Sequence, residues 1–322
     1  EDLLSELEGG DDAMVLASGM AAATCVFMAL TPRDHVVAPK VMYWSLRNWL
    51  DQTARRWGLD VTFVDTDSPA DLQAAVIKGK TKLVWIETPA NPMWSVTDIA
   101  QAATIAHEAG AQLAVDSTVA TPVHTCPISF GADYVMHSAT KYLNGHSDVI
   151  AGALITAKKD TLWENMRQNR GQMGAVLGPF EAIQLLRGMR TLFLRVRQSS
   201  QSAQQIAETL RSHNAISEVL YPGLPDFPGH DIAARQMKDG FGGMLSIRLK
   251  AGEAAAIATA AHVQLWHRAT SLGGVESLLE HRGSIEGAGS PVPLDLLRLS
   301  VGIEDPEDLI SDLNDALNRA TT

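Results

Sequence analysis

Short apolar runs alternate with helical stretches from residue 13 onward, and this alternation restricts the fold more than any other feature of the chain. The candidate strands cover residues 13–18, 35–39, 61–65, 82–88, 112–118, 133–138 and 152–157. Helical patterns lie between them, at 45–57, at 69–77, where Ser68 is a candidate N-cap, and at 96–110. Near-continuous apolar strands separated by helices predict a mostly parallel sheet with helices on both faces, and therefore an α/β fold.

The pattern changes after Pro179. Residues 180–211 are mainly helical, candidate strands follow at 242–250, 265–271 and 296–303, and helices are expected at 253–262 and from Pro306. The chain has 322 residues, which is more than a single small domain usually contains. We predict a large domain over residues 1–195 and a smaller α+β domain over residues 196–322, with the long helix as their connection.

The N-terminal region contains an uncharged stretch, residues 13–32, that has to be distinguished from a membrane span. Ser18 and Gly19 interrupt it and Pro32 dilutes it, so a buried strand, a tight turn and a helix from about Met20 fit better. Residues 1–10, EDLLSELEGG, are typical of the last turns of a helix that ends at two glycines. We therefore expect a further segment of the protein upstream of Glu1.

Charge and cysteine content exclude several classes of partner. Asp and Glu number 37 against 26 Lys and Arg, which gives a formal net charge of −11. An acidic chain without a basic patch is repelled by nucleic acids and by anionic membranes, so we predict neither as a partner. Cys25 and Cys126 are the only cysteines, too few for a disulfide framework or a CxxC metal motif, and we expect a cytoplasmic protein.

Polar residues that follow the predicted strands indicate the chemistry, because ligands of such sheets bind at the carboxyl ends of the strands. The turn at Gly19 and Met20 is a candidate anion site, although it matches neither a dinucleotide nor a Walker motif. Asp116 ends an apolar strand, where it is either a helix N-cap or a functional carboxylate. Lys141 lies in HSATKY (137–142), which leaves another strand. Together these groups favour a Schiff-base lysine that holds pyridoxal phosphate (PLP) over a solvated surface lysine.

Several stretches resemble the Cys/Met-metabolism PLP enzymes, which include cystathionine γ-synthases, cystathionine γ- and β-lyases, methionine γ-lyases and O-acyl-homoserine sulfhydrylases. The matching stretches occur in the family's order: LEGGDDAMVLASGMAA, ETPANP, VDSTVATP, GADYVMHSATKYLNGHSDV, SLGGVESLLEH and LRLSVGIED. The resemblance implies the fold-type-I architecture of aspartate aminotransferase, with the large domain binding PLP.

The resemblance also implies roles for individual residues. Lys141 would form the Schiff base and move protons, Asp116 would pair with the pyridinium nitrogen, and Tyr43 would stack on the ring and assist proton transfer at the leaving group. The phosphate group would be bound by Gly19, Met20, Ser138 and Thr140.

The substrate side of the site follows from the same resemblance. Arg298 would bind the α-carboxylate with help from Ser271, and Asn91 would contact the cofactor's ring oxygen or the substrate carboxylate. The alternative interpretation gives Arg298 no role in the site and makes it a surface arginine on an edge strand. The family histidines, His137, His146 and His281, are interpreted as structural, and no metal site is predicted.

The chain departs from the family pattern at positions that bear on specificity. Trp44 follows Tyr43 where relatives usually have Gly-Gly-Thr, and Thr270 replaces a glutamate that faces the distal part of the substrate. Loss of that carboxylate removes a partner for a distal amino group. Ser117 and Val119 replace the usual Asn and Phe, and the segment between His281 and Leu296 is shorter than in many relatives. The family's Tyr-x-Arg phosphate clamp would lie upstream of Glu1.

The resemblance implies elimination or replacement at the γ-carbon of an amino acid, as in cystathionine γ-synthase or γ-lyase. A β-lyase, a γ-lyase for a non-sulfur substrate such as canavanine, and a non-catalytic protein with the same fold stay open as alternatives. The partners expected are a small amino-acid substrate and further copies of the chain, in a homotetramer of two catalytic dimers.

Overall fold

A computed structural model describes residues 1–287 and 291–320. The larger sheet has the strand order β1-β7-β6-β5-β4-β2-β3. Strand β7 is antiparallel to both of its neighbours, whereas the pairs formed by β2 to β6 are parallel. The mostly parallel sheet is therefore confirmed. Its strands are β1 (Asp12–Leu16), β2 (His35–Pro39), β3 (Asp60–Val64), β4 (Thr81–Glu87), β5 (Gln112–Asp116), β6 (Tyr134–His137) and β7 (Gly152–Thr156).

Helices cover both faces of this sheet, as the apolar strands require. Phe27, Trp85 and Trp163 lie in the core of one face, and Val84, Ile86 and Val115 in the core of the other. A π-helical segment, Leu50–Ala54, joins α3 to α4, and a 3-10 turn, Pro127–Phe130, follows α7. The helices are α1 (Asp2–Glu8), α2 (Gly19–Met28), α3 (Trp44–Trp49), α4 (Arg55–Trp57), α5 (Pro69–Ala75), α6 (Ile99–Ala109), α7 (Thr121–His124), α8 (Thr161–Gln172), α9 (Pro179–Met189) and α10 (Leu192–Leu210).

Local capping explains where several helices begin and end. Ser18 Oγ accepts a hydrogen bond from Ala21 N at the start of α2. Ser68 Oγ accepts one from Asp71 N at the start of α5, so the predicted N-cap is confirmed. Gly9 adopts a left-handed conformation and ends α1, which confirms the predicted N-terminal helix.

The second sheet contains five strands in the order β10-β11-β12-β9-β8, and all pairs except β10 with β11 are antiparallel. Helices α12 and α14 pack against each other, and α12 contacts β9, β11 and β12. The strands are β8 (Ile216–Leu220), β9 (Met244–Leu249), β10 (His267–Arg268), β11 (Leu278–His281) and β12 (Leu296–Ser300), and the helices are α11 (His230–Gln236), α12 (Glu253–His262), α13 (Arg282–Glu286) and α14 (Pro306–Ala320).

One predicted strand in this part is mostly wrong. Of residues 265–271, only His267 and Arg268 form a strand. The amides of Leu265 and Trp266 bond instead to the carboxylate of Asp312 on α14, which takes them out of the sheet.

Helix α10 lies between the two sheets, in contact with α7 on one side and with β8 and β9 on the other. The predicted domain boundary at residues 195 and 196 falls inside this helix, and the division into two domains stays a prediction. A single apolar cluster includes Val135 of β6 and Leu299 of β12, so the core is continuous between the sheets. Among residues 1–287 and 291–320, no helix combines the length and the apolar character that crossing a bilayer requires.

Candidate active site

Polar residues from three parts of the chain meet at the carboxyl edge of the larger sheet. Asp116 is the last residue of β5, and its partner in register on β4 is Glu87. Ser138 directly follows β6, and Lys141 comes three residues later. Because these strands are parallel, their carboxyl ends place the polar groups side by side.

The start of α2 places unpaired main-chain amides beside Ser138. Ser18 Oγ accepts a hydrogen bond from Ala21 N, and Ser18 O accepts one from Ala22 N. The amides of Gly19 and Met20, in contrast, have no acceptor inside the helix. A Cβ on Gly19 would lie 2.6 Å from Ser138 Oγ. Only glycine permits this close approach, which brings the helix start with its two unpaired amides next to the Ser138 hydroxyl.

Asp116 is buried and held by its neighbour Thr118. Its Oδ1 accepts hydrogen bonds from Thr118 N at 3.0 Å and from Thr118 Oγ1 at 2.6 Å. The same hydroxyl accepts a hydrogen bond from Ser138 N at 2.8 Å, which ties the ends of β5 and β6 together. Burial raises the pKa of Asp116, and the bonds from Thr118 oppose that shift. A cationic N–H placed beside this carboxylate would find an oriented acceptor.

Glu87 is a second buried carboxylate, and the sequence interpretation missed it. Its Oε2 accepts a hydrogen bond from Tyr43 N at 2.8 Å, and its Oε1 accepts one from Asn91 N at 2.9 Å. Burial, followed by the charge of Asp116, raises its pKa to about 8. The signal that identified Asp116, a carboxylate at the end of an apolar strand, was equally present at Glu87.

Lys141 is mostly buried and points toward the second sheet. Its Nζ donates a hydrogen bond to Ser271 Oγ at 3.2 Å. Burial lowers the pKa of Lys141 to about 8, and the positive charge of Arg298 contributes to the shift. A lysine with this pKa has a substantial neutral fraction near neutral pH, and that form is the nucleophile and base.

Arg298 is a buried residue of β12, the central strand of its sheet, so the alternative of a surface arginine on an edge strand is wrong. Its Nη2 donates to the main-chain oxygens of Thr270 at 2.7 Å and Ser271 at 2.8 Å. Its Nη1 lies 3.4 Å from Asn91 Oδ1. Its Nε is buried and has no hydrogen-bond partner in the described part of the chain. Burial lowers its pKa to about 10, far above neutrality, so the guanidinium stays charged.

The remaining residues of interest lie at the rim or support the site. Tyr43 and Trp44 are exposed, by 40% and 37%. Thr140 Oγ1 exchanges hydrogen bonds with the main chain of Ala151, which orients the segment that carries Lys141. Tyr43 and Thr140 thus lie near the other predicted residues. The Tyr43 side chain is exposed to solvent, whereas the Thr140 side chain is bound to the main chain of Ala151.

The three family histidines contact protein groups. His137 Nε2 pairs with Glu8 at 2.6 Å, His146 Nδ1 with Asn144 O, and His281 with Ser284 and Leu294. Among the described residues, no group of three or more His, Cys, Asp or Glu side chains could hold a metal ion.

Comparisons with known proteins agree with one another across nearly the whole chain. The family model described as Cys/Met metabolism PLP-dependent enzyme matches residues 1–318. A cystathionine gamma-synthase from Mycobacterium bovis is 46% identical over 98% of this chain and 82% of its own, and a cystathionine gamma-lyase from Bacillus subtilis is 41% identical over 98% and 85%.

Solved structures extend the likeness to the fold. The metB structure from Corynebacterium glutamicum superposes with a TM-score of 0.95 at 42% identity, over 98% of this chain and 83% of its own. The methionine gamma lyase CalE6 from Micromonospora echinospora gives 0.93 at 36% identity, over 98% and 85%. These matches establish the fold-type-I architecture expected from the sequence. The chain belongs to the Cys/Met metabolism family of PLP-dependent enzymes.

Proposed function

We propose that this enzyme eliminates or replaces the γ-substituent of an α-amino acid, as cystathionine γ-synthases and γ-lyases do. The observation that carries the proposal is the meeting of Lys141 and Arg298 at Ser271, whose hydroxyl bonds the amine and whose carbonyl bonds the guanidinium. A base and a carboxylate-binding cation are thereby held at adjacent points of one site. An α-amino acid presents a Cα proton and a carboxylate at just such adjacent positions.

The residues at the sheet edge fit PLP. The close approach of Gly19 to Ser138 brings the unpaired amides of Gly19 and Met20 beside the Ser138 hydroxyl, and a phosphate group requires donors of this kind. In our proposal Met20 and Thr140 complete the phosphate site, and Asp116 accepts the pyridinium N–H. PLP, when bound, supplies an electron sink and an aldehyde that joins to an amine.

The chain's own residues then handle the substrate. Arg298 binds the α-carboxylate, with its unpaired Nε as a further donor, and Asn91 and Ser271 hold the arginine in place. Lys141 Nζ removes the Cα proton and returns a proton to the product, which its pKa of about 8 permits near neutral pH. Tyr43, at the rim, would cover the cofactor ring and assist proton transfer at the leaving group.

Specificity at the distal end of the substrate is set by the rim, including Trp44 and Thr270. The Thr270 side chain carries no charge, so it offers no ion-pair partner to a distal ammonium group. This difference favours acyl-homoserines or substrates with an uncharged distal part over cystathionine. A lyase acting on canavanine is the second candidate, and the same two positions motivate it.

A substrate panel tests the proposal. The PLP-loaded enzyme is incubated with O-succinyl- and O-acetyl-homoserine, cystathionine, methionine, cystine and canavanine, each with and without cysteine, and products are identified by mass spectrometry. We expect turnover of an acyl-homoserine or a sulfur amino acid. Lys141→Ala should abolish it, with a rate loss of at least about 100-fold, whereas a matched change at the exposed Lys78, Lys78→Ala, should not.

Other outcomes of the panel separate the alternatives. Turnover of canavanine alone would overturn the sulfur-amino-acid assignment, and cleavage at the β-carbon would indicate a β-lyase. Binding without any turnover, unchanged by Lys141→Ala, would identify a non-catalytic protein.

We further propose that copies of the chain associate, as a homotetramer of two catalytic dimers. Support comes from exposed apolar side chains on α9 and in the segments before and after it, which together we call the α9 surface. Its side chains, all more than half exposed, are those of Ile150, Met173, Val176, Phe180, Ile183, Leu186 and Leu194. Exposed apolar side chains that form a contiguous patch mark contact surfaces between proteins, and we propose that those of the α9 surface form such a patch.

The compartment proposed is the cytoplasm. Both cysteines, Cys25 and Cys126, are free thiols, which a reducing compartment favours.

A further inference from the structure

A second buried arginine lies beside Arg298, and the two share one carboxylate. Glu280 of β11 is the register partner of Arg298 in β12. Its Oε1 lies 2.8 Å from Arg298 Nη2 and 2.8 Å from Arg282 Nη1. Arg282 also contacts Glu286 Oε1, at 2.7 Å. A row of alternating charges therefore runs from Glu286 to the arginine of the proposed site.

All four side chains of this row are at least nine-tenths buried. Glu280 Oε2, Arg282 Nη2 and Arg298 Nε nevertheless have no hydrogen-bond partner in the described part of the chain. A network that served only to join α13 to the sheet would be expected to satisfy such atoms, because unpaired buried polar groups are costly. The open donor on Arg298 is explained if a ligand anion completes the network.

The row also acts electrostatically on the site. Glu280 opposes, and Arg282 reinforces, the lowering of the pKa of Lys141 that burial and Arg298 produce. The charge of Arg282 likewise reaches Glu87 at the edge of the larger sheet. Burial opposes the charge of Arg282, but Glu280 and Glu286 outweigh it and raise its pKa, so it remains a cation.

We propose that Glu280 is a positioning residue that fixes the Arg298 guanidinium for the substrate α-carboxylate, and that Arg282 fixes Glu280 in turn. This inference rests on the proposed role of Arg298. The two N–H groups of Nη2 bond main-chain oxygens and Glu280 adds an ion pair, so the guanidinium is held in one orientation and its Nε is left for the ligand. Arg282 restrains the carboxylate so that Glu280 does not itself rotate to occupy that donor.

The test compares two ligands that differ only in the carboxylate. Norleucine has no leaving group on its γ-carbon, and pentylamine is the same molecule without the carboxylate. The dissociation constant of each is measured on the PLP-loaded enzyme from the change in its visible absorbance. Glu280→Gln should weaken norleucine binding about tenfold, because the buried ion pair that holds the Arg298 guanidinium is lost, and change pentylamine binding less than about twofold.

Two controls separate this inference from the function on which it rests. Arg298→Gln should produce the same selective loss for norleucine; if it does not, the proposed role of Arg298 fails. If Arg298→Gln is selective but Glu280→Gln weakens both ligands equally or neither, only the present inference is overturned. Asp295→Asn breaks an ion pair between the residue before β12 and Arg248 of β9, and it should leave both dissociation constants unchanged.

A further variant covers the case in which Glu280→Gln does not fold. Arg282→Gln leaves Glu280 in place and removes only its second arginine. It should again weaken norleucine selectively, by a smaller factor, and an unselective effect or none would contradict the proposal.

Discussion

Lys141 is mostly buried and lies near charges of both signs. Burial and these charges together determine how readily its amine loses a proton. Burial lowers its pKa to about 8, with Arg298 and Arg282 acting in the same direction and Glu280 against them. The hydrogen bond to Ser271 Oγ holds the amine at the interface of the two sheets. Small changes at neighbouring residues should therefore alter the reactivity of this amine.

The pH dependence of PLP uptake tests this prediction. Only the neutral amine reacts with an aldehyde, so the uptake rate of the PLP-free protein, followed by visible absorbance, should rise through about pH 8. A free lysine side chain, with a pKa of about 10.4, should react with a higher midpoint under the same conditions. Arg298→Gln removes a nearby positive charge, which raises the pKa of Lys141, so its midpoint should move upward.

A midpoint equal to that of free lysine would show that the amine is exposed to solvent in solution. A midpoint that stays in place or falls in Arg298→Gln would contradict the electrostatic account.

At the residue level, the sequence identified the groups that follow predicted strands but not their partners. Asp116 and Lys141 could be found because a polar residue after an apolar strand has a defined place in a parallel sheet. Glu280 could not, because its importance depends on being opposite Arg298, and strand β11 was itself not predicted. Register between distant strands depends on tertiary packing, which local patterns do not contain.

At the scale of elements, the start of α2 is the feature that most depends on a single side chain. Ser18 caps the helix, and Gly19 packs against Ser138 at the end of β6. Helix and strand are thus joined at the point where two amides face the proposed phosphate site. Gly19 and Ser138 are so close that no space is left between them for a methyl group on Gly19.

Gly19→Ala tests this close packing. Its Cβ would lie 2.6 Å from Ser138 Oγ and 3.1 Å from Ser138 Cα, so the side chain or the backbone must move. We expect the free energy of unfolding to fall by about 1–3 kcal/mol and the affinity for PLP to fall as well. Thermal unfolding with and without PLP, together with equilibrium dialysis, measures both effects.

Gly171 in α8 provides the matched control, since a Cβ there would meet nothing within 4 Å. Gly171→Ala should leave PLP affinity unchanged and increase stability by up to about 1 kcal/mol. Equal PLP affinity in Gly19→Ala and Gly171→Ala would exclude the proposed phosphate site at α2.

The elements themselves could be predicted where periodicity and capping agree. Strand β2 and helix α12 have the predicted bounds, and α14 begins at the predicted Pro306. The failure at residues 265–271 has a specific cause, because one distant carboxylate, Asp312, takes the amides of residues 264–266. A long-range side-chain contact of this kind leaves no periodic signal.

At the scale of the whole molecule, the two sheets share one core but leave the α9 surface uncovered. Phe180 and Ile183, on the same face of α9 at a spacing of three residues, are exposed by 70% and 65%. The exposed rings of Tyr43 and Trp44 show that the rim of the site is also open. If a second copy covers the α9 surface, folding and association are linked, and stability becomes dependent on protein concentration.

Ile183→Glu tests whether copies of the chain meet at this surface. A charge buried in a contact between subunits is costly, so the variant should dissociate to smaller species in sedimentation or light-scattering measurements, and its activity should fall in parallel if the site depends on the assembly. The matched control is Ile257→Glu, which changes an exposed isoleucine on α12 and should keep the wild-type mass. A wild-type protein that is monomeric and fully active at every concentration would overturn the proposal. So would equal masses for the two glutamate variants, because the association would then involve a different surface of the molecule.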